Sequence, residues 1–346
     1  MAYTTIKKPS DYFNTVLYTG NGSTQSITGV GFQPDWIWVK ERSSTSSHQL
    51  IDAVRGYNKR LSSNTSDAEA VDSSPYNDFK SIDSDGFTIG SGGAVNENSQ
   101  TYASWNWLAN NTSGSSNTDG SITSTVSVNT TSGFSIVSYT GTGANATVGH
   151  GLGSTPKFVA IKNRTTTGWS WRTYHVDITP SKRLFLNTTD AATTDTTAFN
   201  STAPTSSVFS VGTSIGANGS SDDMIAYCFS EVKGFSKFGS YVGNGNTDGT
   251  FVYTGFKPAF VIVKNTTTAA KDWVIHDNKR NSYNPTNKEL VAQDNFAEYD
   301  NTRFDFVSNG LKIRSNTSYV NTSGDSYIYM AFAEEPLVGD NPATAR

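Results

Sequence analysis

An all-β fold of three tandem antiparallel β-sandwich repeats, jelly-roll or lectin-like in type, is the architecture this sequence predicts. The first observation behind it is a phrase written three times: QPDWIWVKER (33–42), TPKFVAIKNR (155–164) and KPAFVIVKNT (257–266). Each copy carries a lysine six positions after its proline. A Tyr-x-Gly step lies 16 or 17 residues before each proline, at Tyr18, Tyr139 and Tyr241, and an aromatic-ended apolar run closes 67 or 68 residues after each lysine, at Trp107, Phe229 and Phe332. Spacing shared on that scale is an internal repeat. The second observation is that no i, i+3, i+4, i+7 apolar spacing persists for even about 12 residues, which excludes long amphipathic helices. The third is alternation. In YASWNWLAN, Ala103, Trp105 and Trp107 share one face while Tyr102, Ser104 and Asn106 share the other.

The first module, residues 1–108, contains the Pro34–Lys40 strand, Asp52 ahead of Lys59-Arg60-Leu61, and SDGFTIG (84–90). Its Asp85-Gly86 pair suits a two-residue hairpin turn, whose central positions favour positive φ. Residues 109–121, rich in Ser, Asn and Gly, read as a flexible linker that leaves module one loosely tethered. The second module, 122–236, opens on the alternating run ITSTVSV. It continues through Asp177 before Lys182-Arg183-Leu184 and then SSVFSVG (206–212), where Ser207-Val208 demands a different turn. The junction EVKGFSKFGSYVGNG (231–245) is short and aromatic, so modules two and three are expected to pack together. The third module, 237–346 with a C-terminal tail, carries Asp277 before Lys288-Glu289-Leu290, and SNGLKIR (308–314) with a second hairpin pair, Asn309-Gly310. The closing strands MIAYCFSEV and YIYMAFAEE are more apolar on their second faces (Met224, Ala226, Cys228; Tyr327, Tyr329, Ala331) than the first copy, which predicts burial on both sides.

Composition excludes several classes of partner. Net charge is −4 and no Lys/Arg cluster exceeds a pair, so a basic footprint for nucleic acid is absent. No run approaches the roughly 20 apolar residues of a membrane helix, and MAYTTIKKPSDYF lacks the apolar core of a signal peptide. The expectation is a soluble chain made in a cytosol, with no membrane insertion. The single cysteine, Cys228, sits on an apolar strand and reads as a buried thiol.

Candidate sites are few. Asn244-Gly-Asn246-Thr-Asp248-Gly249 imitates the front half of a calcium loop, but Gly255 stands where the closing glutamate belongs; a polar hairpin tip is the better reading. His48, His175 and His276 recur beside the shared aspartates in three different modules and lack ligand spacing, so no metal site is assigned. Eight glutamates, single except for Glu334-Glu335, offer no acid–base pair at the spacing glycoside hydrolysis needs, and no catalytic residue or cofactor is assigned. Asp52, Asp177 and Asp277 read as partners of the basic steps that follow them. Trp169, Trp171 and Trp273 are the ligand-binding candidates, as rings able to stack on sugars. The competing reading puts that segment in a core strand, with Trp169, Trp171 and Thr173 on one face.

The phrases GFSIVSYTGTGANATVGHGLGSTPKFVAIKNR, AYCFSEVKGFSKFGSYVGNG, YTGFKPAFVIVKN and YIYMAFAEEPLV resemble a repeated module of unknown function found in virion structural and tail-fibre-like proteins of tailed bacteriophages, marine ones especially. The opening MAYTTIKKPSDYFNTVLYTGNG is similar to the start of such proteins, and the resemblance covers nearly the whole chain. It implies a lectin-like sandwich and a non-enzymatic particle component at the virion surface. The expected role is a fibre or adhesin contributing to host attachment. A capsid decoration protein is the alternative, followed by a free carbohydrate-binding module and a polysaccharide depolymerase. Its partners would be other tail or capsid proteins and a host-surface glycan or envelope protein. The expected assembly is a homotrimer with module one nearest the particle.

Overall fold

A computed structural model describes residues 4–72, 78–338 and 342–343. Parts of the expected first and third modules, residues 1–3, 73–77 and most of the tail after 338, lie outside the described residues. The fold is all-β, as predicted: the paired strands run antiparallel, one isolated Ile122–Val148 bridge is parallel, and the described helices are single short turns, Pro9–Asp11, Gly93–Asn96 and Ile215–Asn218.

One strand order occurs three times. Sheet I runs Phe13–Thr19, Thr101–Trp107, Trp36–Glu41, Gln49–Asp52; sheet II contains Phe134–Thr140, Asp223–Phe229, Phe158–Asn163, Arg172–His175; sheet III contains Ser236–Val242, Ser326–Pro336, Phe256–Asn265, Trp273–Asp277. The registers correspond. Phe13 and Trp36 both face Trp107, Phe134 and Phe158 both face Phe229, and Ser236 and Phe260 both face Phe332. Smaller β-layers lie over one face of each sheet. They enclose separate cores around Ile37 and Phe87, Val159 and Phe209, and Val261 and Leu311. Local pins also recur: the hydroxyls of Tyr18, Tyr139 and Tyr241 donate to the carbonyls of Val95, Ala217 and Val320 at 2.9, 2.6 and 2.8 Å.

The second faces of all three sheets meet in one common core. Alternation assigns Ile37 and Val39 to the outer core of sheet I and Trp36 and Trp38 to the shared one; Phe158 and Ala160, then Phe260 and Ile262, enter the same centre from sheets II and III. There the rings of Trp107, Phe229 and Phe332 contact one another pairwise, with centroids 5.7 to 6.3 Å apart. Burial on both faces, expected for the second and third closing strands, therefore extends to the first.

This arrangement corrects the expectation of a loosely tethered first module. Residues 109–121 are not a free linker: Asp35 Oδ2 accepts the N–H groups of Ala109 and Asn111 at 2.6 and 3.0 Å. Ser115–Asn117 then pairs with Ser124–Asn129, which extends sheet II at the edge of Phe134–Thr140. Short polar side chains look like a linker by composition, but they also serve ordered turns and capped backbone, which is their use here.

Candidate functional site

The three sheets are joined at three seams, which hold buried polar and charged groups drawn from two parts at once. At each, a ring N–H reaches a backbone carbonyl just after the recurring leucine (Leu61, Leu184, Leu290) of the neighbouring part. Trp171 Nε1 donates to Ser62, Trp273 Nε1 to Phe185, and His48 Nε2 bonds Val291, each at 2.9 Å. Backbone bonds follow the same cycle: Glu69 N–H to Arg164 C=O (2.8 Å), Ala192 to Thr266 (3.0 Å) and Glu298 to Arg42 (2.7 Å). The chain thus closes on itself, I to II to III to I.

Two seams carry a chain of buried charges. Between sheets I and II, Asp52 pairs with Arg55 (2.5 Å), Arg55 with Glu69 (3.1 Å) and Glu69 with Arg164 (2.8 Å), while the Tyr227 hydroxyl donates to Asp52 (2.7 Å). Between III and I the same positions hold Asp277, Arg280, Glu298 and Arg42, and the Trp105 indole donates to Asp277 at 3.0 Å. Burial pushes the Asp277 carboxyl up, but Arg280 and the donated hydrogen bonds hold it below its ordinary value. At the four matching positions the II–III seam has His175, Ile178, Ala192 and Thr266 instead, so the Asp–Arg–Glu–Arg chain is absent there.

The register also revises the expected correspondences. His175, not Asp177, is the counterpart of Asp52 and Asp277, because these three face Phe158, Trp36 and Phe260. His48 corresponds to Trp171 and Trp273 rather than to His175 and His276. The recurring lysines are buried, and burial lowers Lys40, Lys162 and Lys264 each to about 8. Lys162 Nζ donates to Trp169 C=O (2.8 Å) and across the seam to Ser66 C=O (3.1 Å). Lys264 does the same with Lys271 (2.6 Å) and Thr189 (3.1 Å). Lys40 bonds Glu41 C=O at 2.5 Å. Amines capped by carbonyls in this way act as clamps.

The buried histidines are expected to make the seams acid-labile. Burial lowers His48 to about 3 and His175 to about 4. His48 Nδ1 accepts the Trp38 indole N–H at 2.7 Å, so a second ring proton would have to displace that donor. Both rings are neutral in the fold, whereas the unfolded chain binds their protons near pH 6.5, so stability falls as pH drops from about 6.5 toward 4. Asp35, raised to about 6 by burial, opposes part of this. The urea midpoint is expected to fall between pH 7 and 4.5, and a His48→Gln variant to show a shallower fall; equal slopes would remove His48 from the account.

Two ligand-binding candidates are corrected by burial. Trp171 is 0 % and Trp273 2 % exposed, and both point their indole N–H across a seam, so neither ring is available to a sugar. Trp169 and Trp171 both precede the strand Arg172–His175, and Trp169 is half-buried beside the Arg172 guanidinium at 5.8 Å, so the two rings share no strand face. The structure brings none of the three together in an open site.

What the surface offers instead is Phe251 and Tyr253, 45 % and 55 % exposed, on the outer face of Phe251–Tyr253 while Val252 between them is buried. The facing pairs Val252–Leu311, Val148–Phe209 and Ile27–Phe87 make their counterparts Thr147 and Gly149, and Ser26 and Thr28. Only the third copy has rings there. The alternation Phe-Val-Tyr was the available signal. A separate polar cleft of about 350 Å³ is lined by Ser46, Gln49, Arg60, Thr65 and Asp67, among others. In the calcium-like loop, Asn244 Oδ1 accepts Asn246 N–H, Asn246 Oδ1 accepts Asp248 N–H, and Asp248 pairs with Lys312 at 2.7 Å, so its oxygens serve the hairpin tip. Cys228 is buried, and burial pushes its thiol up.

Fold and seams together define an all-β protein whose sheets share one core and whose buried charges join its parts. Over residues 8–336 the chain matches the family described as a domain of unknown function (DUF7483), and it belongs to that family. No curated protein matches it.

Proposed function

We propose that the chain is three copies of one jelly-roll or lectin-like sandwich closed into an internal trimer, and that it serves as a non-enzymatic surface protein of a tailed-phage particle. The observation that supports this reading is the use of the buried ionisable groups. Asp52, Arg55, Glu69, Asp277, Arg280, Glu298, Lys162 and Lys264 are engaged in holding the sheets to one another. That chemistry suits a durable scaffold. The resemblance of its recurring phrases to virion and tail-fibre-like modules supports a location on the particle. Attachment to a host-surface glycan or envelope protein is assigned to Phe251 and Tyr253 in place of the buried tryptophans, since exposed rings lose little by changing partner from water to sugar.

The test has two arms. Gold-labelled antibody against the chain should decorate intact, washed particles of a phage that encodes it, with label on tail tips for a fibre or over the head for a decoration protein; bare particles would overturn the virion reading. Phage carrying Phe251→Ser with Tyr253→Ser should adsorb to host cells several-fold more slowly at an unchanged melting temperature, because exposed positions contribute within about 0.5 kcal/mol. Unchanged adsorption would remove the aromatic pair from attachment. Reducing ends released from host polysaccharide by the purified protein would overturn the non-enzymatic claim.

A further inference from the structure

The three seams are alike in their pins but not in what fills the groove beside each first strand. At the I–II seam the groove along Phe134–Thr140 is occupied by the chain's own strand Ser124–Asn129. That strand pairs antiparallel with it from Asn129 opposite Phe134 to Ser124 opposite Tyr139. Its side chains also tie to the neighbouring part: Ser127 Oγ accepts Asn110 N–H at 3.2 Å and Asn129 Nδ2 donates to Ala109 C=O at 3.2 Å. At the II–III seam the connecting turn lies over the first strand, with Ser236 N–H on Val232 C=O (2.9 Å) and Lys237 on Glu231 (2.8 Å).

At the III–I seam the corresponding place is an open groove of about 180 Å³, whose lining includes Phe13, Asn14, Thr15, Asn278 and Ala333. Among the described residues Phe13–Thr19 is an edge strand, paired with Thr101–Trp107 alone. The bonds Leu108 N–H to Tyr12 C=O and Gly20 N–H to Gln100 C=O put its even-numbered residues on the paired side. The N–H groups of Phe13, Thr15 and Leu17 therefore face the open edge, as those of Phe134, Ile136 and Ser138 face the added strand of sheet II. Two further groups in this groove want partners: Thr15 Oγ1 and Asn278 Oδ1 are buried, in residues each 5 % exposed, with no hydrogen bond among the described residues. Orphaned buried polar atoms of this kind are uncommon, and two lining one groove beside an unpaired strand edge point to a missing polar occupant.

We propose that this edge is the docking site for an extended strand of a partner protein, added antiparallel along Phe13–Leu17 as Ser124–Asn129 is added to sheet II. The chain itself defines the chemistry of the occupant. It is a segment of alternating hydroxyl and valine side chains ending in a polar amide, whose backbone takes the open N–H groups and whose side chains supply Thr15 and Asn278. This inference stands on the groove and does not need the virion reading.

The probe is a fluorescein-labelled peptide with the sequence of residues 121–131, SITSTVSVNTT, added to the full chain. The expected result is saturable one-to-one binding, with slowed amide exchange at Phe13, Thr15 and Leu17. Leu17→Pro removes one outward N–H at an edge, where proline is tolerated, and should weaken binding by about tenfold or more. Ser240→Pro, at the matching position of sheet III, should leave it unchanged. Absence of saturable binding, slowed exchange confined to residues 134–140, or full binding by Leu17→Pro would each overturn the proposal. So would sedimentation showing that the peptide-free chain pairs with a second copy through this edge. If Leu17→Pro does not fold, the exchange pattern of the wild-type chain decides alone.

Discussion

Replacing Arg280 with alanine is expected to destabilise the protein by about 3 to 5 kcal/mol, because it strands two carboxylates in the interior. Arg280 is buried between Asp277 and Glu298, at 2.6 and 3.1 Å, and its other arm donates to Ile275 C=O at 2.9 Å. The II–III seam shows what the same place looks like without charge, with His175, Ile178, Ala192 and Thr266. Carrying that solution over as Asp277→His, Arg280→Ile, Glu298→Ala and Arg42→Thr removes every ion at once, and the imidazole introduced at 277 can accept the Trp105 indole N–H. Removing a whole buried network is far cheaper than removing one member. The four-substitution variant is therefore expected to be more stable than Arg280→Ala alone, by urea denaturation. A four-substitution variant as weak as the single one would mean that the seam depends on its charge and not on its packing.

The second large effect is at the centre. Trp107 contacts Phe13, Trp36, Phe229, Phe260 and Phe332, so its ring belongs to all three sheets. Trp107→Ala should cost about 3 to 5 kcal/mol, as deletion of a fully buried large ring does. Because the cavity lies in the shared core, the melting of residues in sheets II and III should shift by the same amount as that of sheet I. Near-ultraviolet circular dichroism and amide exchange of Cys228 and Met330, each far from residue 107 in sequence, can follow this; a shift confined to sheet I would show that the sheets are energetically separate.

Much of the fold was legible in the residues. Alternation in YASWNWLAN and its two counterparts reports a strand with two distinct faces, and the proline-to-lysine step marks strands that occupy matching places in the three sheets. Alternation cannot report what each face meets, however. Whether Trp105 and Trp107 face a core of their own or one shared with Phe229 and Phe332 depends on contacts more than 100 residues apart in the chain. The same limit misled the site. Trp171 and Trp273 looked like surface rings because they stand where polar loops meet short strands, and only the carbonyls of Ser62 and Phe185, brought in from the neighbouring part, reveal them as pins. Asp177 was matched to Asp52 and Asp277 by spacing, yet register gives that place to His175. Phe251 and Tyr253 were passed over because two rings alternating about a valine look like any half-buried strand until the burial of each is known.

The central claim is that three sheets with one common core, closed by three seams, unfold as a single unit. Differential scanning calorimetry of the intact chain at neutral pH tests it most directly, by comparing the calorimetric enthalpy with the van't Hoff enthalpy. A shared core predicts one transition with a ratio of about 1. Two or three resolved transitions, or one broad transition whose ratio approaches about 3, would mean that the parts melt independently and would contradict it.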